Sequence, residues 1–216
     1  CLGGGVSMAI HESQSRFYEN IIGRSRAFCG VIYPWLREHF APRLDDVSLE
    51  DFYRMINKAQ PSLIRTEADE LTYCLHIMVR YELERRMFAG ELTAHDLPAE
   101  WNRLYKAYLG VDVPNDREGI LQDSHWANGN IGYFPSYAIG SAYGAQYLRQ
   151  MQKDFDVSAA VATGRLTQIN CWLEEKIWKY GCMKDPTPLF ESVCGPFDPT
   201  CYTAYLRDKF TEVYGL

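Results

Sequence analysis

Three short segments of this 216-residue chain combine side chains that could do chemistry. The first is His11-Glu12-Ser13-Gln14. By itself it reads as a helix with an exposed Glu12–Arg16 pair. The sharper reading makes Glu12 a zinc ligand. Zinc in peptidases takes three protein ligands, often two histidines and a carboxylate, and leaves a position for water. The histidine pair usually comes from H-E-x-x-H, where i, i+4 spacing puts both rings on one helix face and the glutamate acts as base. Ser15 stands where the second histidine would have to be, and His39, His76, His95 and His125 have no histidine four residues on. These residues therefore cannot complete a catalytic zinc site from a helix pair.

The second segment is Ile64-Arg65-Thr66-Glu67-Ala68-Asp69. Arg65 lies just before a predicted helix N-terminus, where a guanidinium fork and the positive helix end could hold a carboxylate together. Equally, Arg65 could be structural, paired with Glu67 or Asp69. The third segment is Gly119-Ile120-Leu121-Gln122-Asp123-Ser124-His125-Trp126, followed by Gly132-Tyr133-Phe134-Pro135-Ser136-Tyr137. A polar cluster in a glycine-rich loop is a common setting for functional residues. Asp123 or Gln122 could orient His125, and His125 and Tyr133 could donate hydrogen bonds to a developing oxyanion. The plainer alternative is a buried, satisfied histidine beside a packed tyrosine.

The elements that must position these segments read as helices. Apolar and aromatic residues recur at helical spacing from Val6 to about Phe28, and Pro34 is expected to break or kink the next stretch. Ser48 and Asp51 resemble a capping box opening Leu49 to Lys58, and Thr66 and Asp69 a second one opening a helix to about Ala89, with Gly90 beyond it. Asp96-Leu97-Pro98 opens a helix to Leu109. Residues 110–134 read as a loop around one short helical turn. Helices are then expected over 135–155, where Ala138, Gly140, Ala142, Gly144 and Ala145 permit close packing, over 158–180 and over 199–213. No convincing strand pattern is present, and the expected class is all-α.

Composition bounds the alternatives. Hydrophobic residues make up 47% and charged residues 23%, an ordinary globular balance. A net charge of −6 without a Lys/Arg cluster leaves no electrostatic footprint for nucleic acid or an anionic membrane. No apolar run approaches the roughly 20 residues that span a bilayer. Cys1-Leu2-Gly3-Gly4-Gly5 has no basic region before an apolar core, so it is not read as a signal peptide but as a chain entered in the middle. The seven cysteines include no C-x-x-C and are expected to be reduced thiols of a cytoplasmic protein.

Together the three segments, with Tyr205-Leu206-Arg207-Asp208-Lys209-Phe210 and Tyr214-Gly215-Leu216 at the end, resemble ordered motifs of the carboxypeptidase Taq family of zinc metallopeptidases. The resemblance covers essentially the whole chain. It implies the C-terminal helical half of a zincin-like, neurolysin-like fold, with residues 1–216 as a single catalytic-domain fragment lacking the N-terminal part and its H-E-x-x-H. It implies a metal-activated water releasing C-terminal amino acids from peptides, with zinc (or cobalt) as the metal and a homodimeric full-length enzyme. On this reading Glu12 is the third metal ligand and Arg65 holds the free carboxylate of the substrate. Gln122, Asp123 and His125 line the cleft, with His125 near the scissile carbonyl. Tyr133 and Tyr137 resemble the tyrosine-rich loop of thimet- and neurolysin-type oligopeptidases. The isolated chain is expected to bind zinc weakly or not at all and to be inactive. A metal-free helical interaction module and an oligoendopeptidase are the competing readings, the latter disfavoured by the Ile-Arg-x-x-Ala-Asp segment.

Overall fold

The computed structural model describes residues 3–216, and among these there is no β-strand. The described residues form ten α-helices: α1 (Met8–Arg16), α2 (Arg26–His39), α3 (Leu49–Ile56), α4 (Tyr73–Phe88), α5 (Leu97–Leu109), α6 (Pro135–Met151), α7 (Val157–Ala162), α8 (Leu166–Lys176), α9 (Pro186–Cys194) and α10 (Thr200–Tyr214). They group into two compact units, one made of residues up to Asn57 together with Ile139–Leu216, the other of Lys58–Ala138.

In the first unit, Ser7 opens α1 by accepting a hydrogen bond from the Ile10 amide at 3.2 Å. The helix widens into a π-helical turn over Phe17–Ile22 and then stops. The continuous helix expected from Val6 to Phe28 is thus broken after Ile22. Gly23 donates to the Tyr18 carbonyl at 2.8 Å, and Ser25 caps a new helix by accepting from the Phe28 amide at 3.1 Å. A serine in that position satisfies an orphan donor of the next helix, and this local bond outcompetes continuation. Helix α2 runs through Pro34 rather than ending there. Its neighbours Cys29 and Tyr33 are buried, so packing outweighs the one backbone bond that proline removes.

The Ser48–Asp51 capping box forms as expected. Helix α3 ends at Ile56, short of Lys58, because the Asn57 amide side chain donates to the Tyr53 and Arg24 carbonyls and closes the helix. The single helix expected over 158–180 is two: Gly164, at φ +72°, turns the chain between α7 and α8. Helix α9 has no counterpart among the expected helices, although Asp185-Pro186 opens it as Asp198-Pro199 opens α10. The core of this unit gathers Phe17, Ile21, Tyr147, Met151, Ile169, Leu173, Leu189 and Phe190.

In the second unit, α4 and α5 pack around Val79, Leu83, Trp101, Leu104, Tyr105 and Leu109. Residues 110–134 are a run of turns with no helix, and Phe134 is buried beside Ala68, Tyr73 and Ile77. The expected capping box at Thr66 does not form. Arg65–Glu67 is a single 3-10 turn, and α4 begins only at Tyr73. Asp69 holds this approach together, accepting from the Thr72 amide at 2.9 Å, the Thr72 hydroxyl at 2.7 Å and the Gln60 amide at 3.0 Å. Its carboxylate serves the turn before the helix instead of a cap at Thr66.

Candidate functional site

The second unit brings most of the suspected residues together. Arg65 is buried, and its partner is neither Glu67 nor Asp69 but Asp123, 58 residues away in sequence. Its Nε and Nη2 donate to Asp123 Oδ1 at 3.0 and 2.7 Å, and its Nη1 donates to the Tyr73 hydroxyl at 2.9 Å. The guanidinium also lies 4.9 Å from the Tyr137 ring centre and 5.7 Å from that of Phe134, distances at which a cation is attracted to the ring quadrupole.

The other Asp123 oxygen belongs to an arginine that the sequence did not single out. Arg80, fully buried on α4, donates through Nε to Asp123 Oδ2 at 2.7 Å and brings Nη2 to 2.5 Å from the same oxygen. Nη2 also donates to Gln122 Oε1 at 2.9 Å, and Nη1 to the His76 carbonyl at 2.8 Å and the Tyr105 hydroxyl at 3.3 Å. The ring of Trp101 lies 4.6 Å from its guanidinium. Gln122 ties the loop to the same centre. Its Oε1 also accepts from the Arg65 amide at 2.8 Å, while its Nε2 donates to the Leu63 carbonyl at 3.0 Å. Burial pushes the Asp123 carboxyl up, but the hydrogen bonds and charges of Arg65 and Arg80 outweigh that and hold it below the usual carboxylate range.

His125 sits on an aromatic platform, 4.4 Å from the Phe134 ring, 5.3 Å from Tyr133 and 5.9 Å from Tyr137. The idea that Asp123 or Gln122 orients it does not hold. His125 Nδ1 is 4.0 Å from Asp123 Oδ1, beyond hydrogen-bond reach, and Gln122 is spent on backbone groups and the two arginines. Its ring bond instead joins Nε2 and the Tyr137 hydroxyl, 3.1 Å apart. Burial first, and then the nearby Arg65 charge, lower the His125 pKa, so the neutral imidazole is favoured. Its Nδ1 is a buried polar atom with no hydrogen-bond partner among the described residues. A cavity of about 550 Å³ in the same unit borders Gln122 and Asp123 between Leu97, Pro98, Ile120 and Trp126. Neither Arg65 nor His125 lines it, so this space is distinct from the Arg65 edge of the cluster.

Glu12 lies in the first unit, half-buried on α1. The Ser15 hydroxyl donates to its Oε2 at 2.8 Å. Arg16 pairs with Glu19 at 2.9 Å. A Cβ placed on Gly140 of α6 would come within 2.8–2.9 Å of Glu12 and Ser13 backbone and Cβ atoms, so only glycine lets α6 lie this close to Glu12. Glu12 has the chemistry of one carboxylate ligand. Among the described residues no group of three or more His, Cys, Asp or Glu side chains could hold a metal ion. Nor is any described helix long and apolar enough to cross a membrane.

The described residues are all-helical, and Arg65, Gln122 and Asp123 meet at one arginine–carboxylate centre. Residues 1–210 match the carboxypeptidase Taq (M32) metallopeptidase family, and the chain belongs to that family. It is 45% identical over 215 residues to carboxypeptidase 1 of Bacillus subtilis (strain 168), covering 99% of this chain and 43% of that protein. It is 43% identical over 215 residues to thermostable carboxypeptidase 1 of Thermus thermophilus, covering 99% of this chain and 42% of that one. The crystal structure of the M32 carboxypeptidase from Deinococcus radiodurans R1 superposes with a TM-score of 0.95 at 42% identity, over 100% of this chain and 44% of that one. The chain therefore spans less than half the length of the relatives it matches.

Proposed function

We propose that these 216 residues are part of a zinc-dependent carboxypeptidase, acting on peptides with a free C-terminus and releasing their last amino acid. The observation that carries the reading is the Arg65–Asp123 pair, both residues lying in segments that resemble the family's motifs, with Arg80 as a second guanidinium on the same carboxylate. Such a centre favours an incoming anion, and Arg65, at its edge, presents the planar fork that suits a carboxylate. Clamping the terminal carboxylate fixes which peptide bond is presented, so only the last residue leaves.

Glu12 serves as one metal ligand, with Ser15 Oγ holding its carboxylate. Zinc, when bound, polarises the scissile carbonyl and lowers the pKa of its water toward about 7. Gln122 and Asp123 hold Arg65 in place. His125, neutral on its aromatic platform, and Tyr133 are the candidate donors to the oxygen that becomes negative, with Tyr137 fixing the His125 ring. If the Tyr137 hydroxyl donates to Nε2, the imidazole proton sits on Nδ1. A homodimeric assembly and a cytoplasmic setting belong to the same reading, supported by the family resemblance.

The test is metal content together with amino-acid release from an N-acylated dipeptide and from its C-terminal amide. It is run on the 216-residue chain and on the same reading frame extended upstream. With one motif carboxylate and no H-E-x-x-H, the 216 residues alone are expected to hold little zinc and release nothing. An extended product that holds about one zinc and cleaves the acid, but not the amide, supports the proposal. If neither form binds metal or cleaves, the metal-free helical module takes its place.

A further inference from the structure

We infer that Arg80 is a positioning residue for carboxylate recognition: by taking up Asp123, it leaves the charge of Arg65 available to a ligand. This rests on the reading of Arg65 as the carboxylate receptor. A lone Arg65–Asp123 pair would be neutral, and a receptor already answered by its own carboxylate attracts a second one poorly. The second guanidinium changes the balance, because two positive charges then face one negative charge. The oxygens are divided accordingly. Both Arg65 contacts fall on Oδ1, and both Arg80 contacts fall on Oδ2.

The two arginines differ in what they have left. A guanidinium carries five N–H groups. Arg80 directs its nitrogens to Asp123, Gln122, the His76 carbonyl and Tyr105, and it is fully buried. Arg65 spends one N–H each from Nε and Nη2 on Asp123 and one from Nη1 on Tyr73. Beyond these bonds, one N–H on each of Nη1 and Nη2 remains to Arg65. Glu84, also buried on α4, accepts from the Trp126 indole at 2.7 Å. Gln122 Oε1 bridges the Arg65 amide and Arg80 Nη2, so the loop is clamped to both arginines at once.

The experiment is a calorimetric titration of the 216-residue chain with N-acetyl-phenylalanine and with its amide. The variants are Arg80→Gln, Arg80→Lys and the double variant Arg80→Gln/Asp123→Asn, each checked for helical content. Wild type is expected to prefer the acid by tenfold or more. Arg80→Gln should lose that preference, since Asp123 then answers Arg65 alone. The double variant removes both charges and should regain most of the preference, which a purely structural role for Arg80 does not predict. Arg80→Lys keeps the charge and should stay within about threefold of wild type. Should Arg80→Gln not fold, Arg80→Lys and the double variant carry the same comparison. Retained preference in Arg80→Gln, or a folded double variant without recovery, overturns the inference while leaving Arg65 as receptor. No acid preference in wild type overturns the Arg65 reading itself.

Discussion

Gly140 and Gly144 lie one helical turn apart on α6, and Gly→Ala substitution at the two is expected to act with opposite sign. At Gly140 a new Cβ meets the Glu12 carbonyl carbon at 2.8 Å, the Glu12 Cβ at 2.9 Å and the Ser13 amide nitrogen at 2.9 Å. Carbon atoms in good contact sit about 3.5–4.0 Å apart, so the new atom is too close by roughly 0.6 Å or more. Two of its neighbours are helix backbone, which cannot swing aside as a flexible side chain would. Overpacking of this kind costs about 1–3 kcal/mol, and the better helix propensity of alanine returns only about 0.5–1 kcal/mol. At Gly144 the nearest atoms are Ile21 Cδ1 and the Ser13 carbonyl oxygen at 3.5 Å, ordinary contacts that leave the propensity gain intact. In a thermal melt followed by circular dichroism, Gly140→Ala should lower the midpoint by about 2–8 °C and Gly144→Ala should hold or raise it by about 2–4 °C. Equal midpoints for the two variants would show that α6 does not press on Glu12 as described, and the argument for Gly140 as the cradle of that residue would fall.

His76 is fully buried, and burial together with the Arg80 charge lowers its pKa to about 4. Because the unfolded chain binds this proton near pH 6.5, stability is lost as pH falls from about 6.5 to 4, by about 3 kcal/mol in all. Urea melts across that window should show a shallower acid loss for His76→Gln, and an unchanged slope would refute the assignment. Ser48→Ala removes the hydroxyl that caps α3 at the Asp51 amide, 3.0 Å away. It should cost about 0.5–2 kcal/mol in the same melts, and no measurable cost would mean that the cap is idle.

The helical class and the frame around the site were legible because their signals are local. The Ser48–Asp51 box, Leu97-Pro98 at the start of α5 and the glycines at 90 and 110, both at positive φ, act within a few residues of themselves. The errors arose where two local signals competed. Thr66 and Asp69 fit a capping box, yet Asp69 found better donors in Gln60 and Thr72. Periodicity from Val6 to Phe28 was continuous, but Ser25 offered a cap that divided it. The small-residue stripe of α6 was readable as a sign of close packing, although nothing in the spacing says that Gly140 meets Glu12 in particular.

The site shows the same division at a larger scale. Arg65, Gln122, Asp123 and His125 were found because they sit in motifs, but what each touches depends on contacts 12 to 59 residues apart in sequence. Arg80 belongs to none of these motifs. A signal for it did exist: His76, Arg80 and Glu84 recur every four residues on the same stripe as Ile77, Val79 and Leu83, which places an arginine on the buried face of α4. Arginine is almost never fully buried without a partner, so such a position asks for a carboxylate elsewhere in the chain. Asp123 answers it. That pairing turns Asp123 from a presumed guide for His125 into the pivot between two arginines, and it shifts the weight of the site from the histidine to the guanidinium pair.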